Sequence, residues 1–162
     1  MRKLFYLLLA CGVLACAGDA ADDWPTLDLT RHNIPLTIQA PDSAKVNSQS
    51  FGGLMHDVTV ESPEDDYGIQ ILAADAITND MTRLKADQID GVRDNRYFSR
   101  IVREEPDGFV FENRIDSTTI YGFRYIVYQG DKEYVFQNSL SGTFTEAAVE
   151  KMYSAVKQKP RQ

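Results

Sequence analysis

The chain has 162 residues, about a quarter of them charged, and a formal net charge of -7 at pH 7. That length suits one domain with a core large enough to do without disulfide staples. The acidic balance excludes nucleic acid and anionic lipid headgroups as natural partners, since both would be repelled, and it favours a soluble surface.

Arg2 and Lys3 form a basic start, and an apolar run from Leu4 to Leu14 follows, interrupted only by small residues. The run is too short to span a bilayer as a mature helix, so residues 1–15 read as a secretory signal. Both cysteines, Cys11 and Cys16, lie in this leader region, which leaves the rest of the chain without a disulfide or a thiolate metal site. The sequence Val13-Leu14-Ala15-Cys16 resembles the lipobox of bacterial lipoprotein signal peptides. The resemblance implies acylation of the Cys16 sulfur, cleavage before Cys16, and an anchor in a bacterial membrane, the outer membrane being expected. Several acyl chains on one cysteine hold firmly, since each buried methylene contributes about 0.8 kcal/mol. Ordinary cleavage after Ala17 is the alternative, because Ala15-Cys16-Ala17 also fits the small-residue pattern. Residues 16–32 are rich in small and acidic residues, lack sustained periodicity, and read as a mobile acidic tether. Trp24, the single tryptophan, is expected to dock on the domain rather than lie at the membrane interface.

A single domain is expected over residues 33–159. Ile34, Leu36 and Ile38 alternate with polar residues as a first strand, which Pro35 makes an edge strand or starts late. A weak run from Ala44 to Phe51 meets Gly52-Gly53, and a second run extends from Leu54 to Val60. The two glycines suit a primed two-residue hairpin turn, which needs positive φ. Ser62 to Asp66 is a polar turn into Tyr67–Ala73. From Ile77 the spacing of Ile77, Met81, Leu84, Ile89 and Val92 predicts a helix, with N-caps offered by residues 78–80. Tyr97 to Glu105 is β-like, and Pro106-Asp107-Gly108 predicts a turn with glycine at a left-handed position. Phe109 to Ile115 alternates as a half-buried strand. Residues 120–128 are apolar on both alternating sets, as a central strand covered on both faces would be. Gly122 within it implies a bulge or a close backbone approach. Gly130-Asp131 turns the chain into Glu133–Asn138. Thr143 with Glu146 fits a capping box, and Val149, Met152, Tyr153 and Val156 form one apolar stripe on a closing helix.

Strands, a helix, antiparallel strands and a last helix make an α+β plan: a mostly antiparallel sheet with a mid-chain helix and a C-terminal helix packed on it. The hairpin strands, the meander GFRYIVYQGDKEYVFQNSL and the ending GTFTEAAVEKMYSAVK resemble the Mog1/PsbP-like fold between Ile34 and Gln158. Its members include an accessory subunit of photosynthetic oxygen evolution and a binding partner of a nuclear GTPase. The resemblance implies action by contact rather than catalysis.

The residues offer little chemistry. His32 falls in the tether, and His56 in a strand beside Asp57, whose side chain should point to the other face. Zinc commonly takes three or four ligands, so His56 reads as an ordinary strand histidine. Glu64-Asp65-Asp66 and Glu104-Glu105 with Asp107 lack calcium-loop spacing and read as solvated turn acids. Tyr121, Tyr125, Tyr128 and Tyr134 could line a ligand groove, though sheet packing is the usual fate of such residues. No catalytic residue, metal or cofactor is assigned. The expected partner is an envelope protein, and the candidate contact residues are Phe51, Leu54, Glu64, Asp65 and Asp66. Phe51 and Leu54 are expected to fold back onto the sheet, in which case the hairpin tip offers no contact. The alternative is a small secreted or anchored hydrolase using acidic residues, which would need two carboxylates, or His56 and a carboxylate, to converge in a pocket.

Overall fold

The computed structural model describes residues 24–158. Cys16 and the segment before Trp24 lie outside them. Residues 24–32, expected in a mobile tether, are instead built into the fold. Thr26–Asp28 (β1) pairs antiparallel with Thr37–Gln39 (β2), and a 3-10 turn at Thr30–His32 separates them. Leu29, Ile34, Leu36 and Ile38 are all buried by this ribbon, which is why it stays on the domain. Trp24 docks as expected, edge-on to Tyr67 with ring centroids 4.9 Å apart, and Lys151 Nζ lies 3.9 Å from its ring centroid.

The main sheet contains Lys45–Phe51 (β3), Met55–Ser62 (β4), Tyr67–Asp75 (β5), Phe98–Glu105 (β6), Gly108–Ile115 (β7), Thr118–Gln129 (β8) and Lys132–Asn138 (β9). Its order is β3-β4-β5-β9-β8-β7-β6, and every neighbouring pair is antiparallel. The helices are Met81–Arg93 (α1) and Glu146–Val156 (α2). Alternation along β7 shows that they cover opposite faces. Val110 joins Phe123, Val149, Met152, Tyr153 and Val156 in the larger core, whereas Phe109 and Phe111 meet Ile89 and Val92 of α1. The α+β architecture expected from the residues is present. The central strand also stands as expected, with Phe123 and Ile126 of β8 buried on opposite faces.

Several local expectations are corrected. Asp80 caps α1 by accepting from the N–H groups of Thr82 (2.9 Å) and Arg83 (3.3 Å), so Ile77 lies before the helix, exposed in the linker. The cap of α2 is Thr145, whose hydroxyl accepts from the Ala148 N–H at 3.2 Å, not Thr143. Gly108 does not occupy a left-handed position. It serves close approach instead: a Cβ there would lie 2.5 Å from the Arg124 carbonyl oxygen. Gly122 likewise marks a close approach, since a Cβ would meet Phe111 Cζ at 2.5 Å.

Candidate contact surface

The Gly52-Gly53 pair takes φ of 60° and 76°, which only glycine adopts at little cost, and the Leu54 N–H donates to the Phe51 carbonyl at 3.1 Å. The strands close at Phe51↔Met55, so the loop has three residues, 52–54, rather than the expected two. Leu54 thereby leaves the ladder. The expectation that Phe51 and Leu54 fold back is overturned. Phe51 is 49% exposed and Leu54 82%, with Met55 beside them at 37%. By register Phe51 and Met55 lie on the face opposite Val58 and Val60, which enter the larger core. α1 covers that opposite face, but it packs on Phe109 and Phe111 of β7 rather than on β3 and β4.

The acidic turn is a different object. Pro63–Asp65 is a single 3-10 turn ended by Asp66 at φ 50°. The Asp65 carboxylate accepts from Ser62 Oγ (2.5 Å) and Ser43 Oγ (2.7 Å), and these two hydrogen bonds hold its carboxyl below the usual range. Asp65 is therefore occupied by the fold. Glu64 is exposed and borders a hollow of about 320 Å³ with Ser43, Lys45, Glu61, Ser62 and Pro63. The turn and the hairpin tip sit at opposite ends of β4, roughly 24 Å apart at about 3.4 Å per residue. They cannot form one patch within a single copy.

Carboxylates do converge elsewhere. Arg103 reaches Glu105 (3.4 Å) and Glu150 (2.5 Å), Lys157 reaches Glu105 (3.0 Å), and the Tyr153 hydroxyl donates to Glu105 at 3.2 Å. Burial, aided by the Glu105 charge, raises the Tyr153 phenol well above its ordinary value. Glu112 is buried against Arg100 and Arg114, at 2.9 Å each. Burial alone would raise its carboxyl, but bonds from Ser99 and Arg100, with both guanidinium charges, bring it below the usual range. Each carboxylate already has a cation, and neither Glu105 nor Glu150 lines the hollow above or the groove described next. Among the described residues, no three His, Cys, Asp or Glu side chains gather to hold a metal.

A shallow groove of about 1040 Å³ runs between the β1–β2 ribbon, the end of β8 and the end of α2. Of the four candidate tyrosines only Tyr128 lines it, while Tyr125 and Tyr134 are buried in the core. The structure does not bring the set together. His56 Nε2 lies 2.7 Å from the His32 carbonyl oxygen and 3.1 Å from Ser48 Oγ, which ties the 3-10 turn of the ribbon to the sheet.

The two sheet edges were not singled out by residue patterning, and they differ. β6 carries Arg100, Arg103, Glu104 and Glu105 and shifts register twice against β7. β3, KVNSQSF, has one charge, no proline and unbroken register, and all its residues but Val46 are exposed. Charge and bulges are the usual guards of an edge, so β3 is the unguarded one.

No protein-family model and no curated protein matches the chain. Among solved structures, the chain is similar to a protein from Bacteroides thetaiotaomicron VPI-5482 whose crystal structure was determined at 1.50 Å. The identity is 12%, the match covers 76% of this chain and 44% of that one, and the TM-score is 0.35. The chain thus spans less than half the length of that protein, and a likeness at this level carries no argument.

Proposed function

We propose that the chain is an exported lipoprotein, anchored through Cys16 to a bacterial membrane, whose domain acts without catalysis by contacting a protein partner in the envelope. The observation that carries the contact reading is the hairpin tip: Phe51, Leu54 and Met55 stand exposed together at the end of a rigid sheet. Contiguous exposed apolar side chains are costly in water and mark interaction sites. The net charge of -7 on the chain suits a basic or polar partner. Lipidation rests on Val13-Leu14-Ala15-Cys16. The Mog1/PsbP-like assignment belongs to the same reading, supported by the sequence of hairpin strands, mid-chain helix, meander and terminal helix.

The hydrolase alternative draws on Glu105 and Glu150 meeting at Arg103. Acid–base catalysis needs a group free to exchange a proton with a substrate in a cleft. Both are engaged by cations, and Glu105 also accepts from buried Tyr153. A native-membrane pulldown with wild-type protein and the Phe51→Ser, Leu54→Ser double variant tests the contact reading. The variant is expected to lose a partner that the wild type captures. Identical capture removes the tip from the reading, and turnover of an ester, glycoside or phosphoester panel that His56→Ala or Glu150→Gln abolishes would replace it with an enzyme.

A further inference from the structure

We propose that β3 is an interface strand and that its occupant is a second copy of this chain, paired antiparallel about Ser48. This rests on the contact reading above and names the partner. β3 ends the sheet order, so among the described residues nothing pairs with its outer edge. Every second residue of such an edge points an unpaired N–H and C=O outward, a template for another strand. The opposite edge is guarded by four charges and two register shifts, and β3 by neither device beyond Lys45.

The strand is complementary to itself. The register that pairs all seven residues sets Ser48 against Ser48 of the other copy, Asn47 against Gln49, Val46 against Ser50 and Lys45 against Phe51. No like charges meet. Asn47 and Gln49 share a sheet face and can exchange side-chain amide hydrogen bonds, and the Lys45 ammonium falls beside the exposed Phe51 ring, a favourable cation–π arrangement. Beyond the strand, the tip of one copy overhangs the far end of the other. That end carries the 320 Å³ hollow lined by Lys45, Pro63 and Glu64, and Lys45, Glu61 and Phe51 all lie on the same face by register. The apolar tip and the acidic turn, separated by the length of β4 within one copy, become neighbours across the interface. Two-fold symmetry makes every contact twice.

Single cysteines test both the interface and its register in the full chain in membranes, with wild type controlling for Cys11 and Cys16. Ser48→Cys places the two sulfurs on directly opposed residues, a spacing a disulfide can bridge, while Phe51→Cys sets them six residues out of register, beyond bridging. Under mild oxidation Ser48→Cys is expected to run as a dimer on a non-reducing gel, and Phe51→Cys to stay at the wild-type level. Ser48→Cys no more cross-linked than wild type overturns the second-copy inference, as does equal cross-linking of both variants. Neither result touches the contact reading, which stands or falls on its own pulldown.

Discussion

The Asp65 carboxylate accepts from the Ser62 and Ser43 hydroxyls, which hold its carboxyl below the ordinary 3.8. A folded-state value below the unfolded one adds stability that is fully present above 3.8 and is lost as pH falls through the folded value. Ser62→Ala removes the larger of the two bonds. It is expected to move the Asp65 titration up toward 3.8 in a carboxyl NMR titration and to flatten the loss of melting temperature in acid. An Asp65 that titrates at or above 3.8 in the wild type would refute this account. The composition of Glu64-Asp65-Asp66 could not reveal this, because the hydroxyl partner Ser43 is 22 residues away. Phe51 and Leu54 were legible as a flanked glycine turn. Their exposure was not, since it depends on α1 covering the β7 side of its face of the sheet and leaving the β3–β4 side open.

Elements with long periodic patterns were read directly. The stripe Val149, Met152, Tyr153 and Val156 is fully buried, and β4 through β9 fall where alternation and turn residues put them. Short elements and exact ends were not, for tertiary reasons. β1 has three residues, too few to show a period, and exists because its ribbon buries Leu29 and Ile34. Thr143 matches a cap pattern with Glu146, but Phe144 is buried in a β-bridge to Tyr121, so the backbone is still extended there and the helix starts after Thr145. Thr145→Ala is therefore expected to cost about 1 kcal/mol in chemical denaturation. Thr143→Ala should stay within about 0.5 kcal/mol of wild type, as exposed substitutions away from special features do. The reverse ranking would restore the earlier cap.

At the scale of the molecule, the proposed lipid on Cys16 and the proposed two-fold pairing of β3 would together constrain orientation. Seven residues separate Cys16 from Trp24, so the described chain begins no more than roughly 28 Å from a lipid on Cys16 at about 3.5 Å per step. Trp24 packs on Tyr67 beside Lys151, which places the entry point on the α2 face at the acidic-turn end. Were a single copy held alone, its hairpin tip would point away from the bilayer. A two-fold axis through Ser48 and perpendicular to a continuous sheet sends the two entry points to opposite ends of the dimer but keeps both on the α2 face. On that proposal both lipids would reach one leaflet most directly with the sheet lying along the membrane, α2 toward it and α1 outward. Ala147 and Asp87 are exposed on α2 and α1 respectively, so cysteines placed there can carry a fluorophore without disturbing the core. A quencher attached to lipid headgroups is expected to quench the label at Ala147→Cys more than the one at Asp87→Cys, and Cys16→Ser should abolish the difference by releasing or mislocalising the chain. Equal quenching at both positions would mean that the domain tumbles freely on its lipid, and stronger quenching at Asp87→Cys would turn the assembly over.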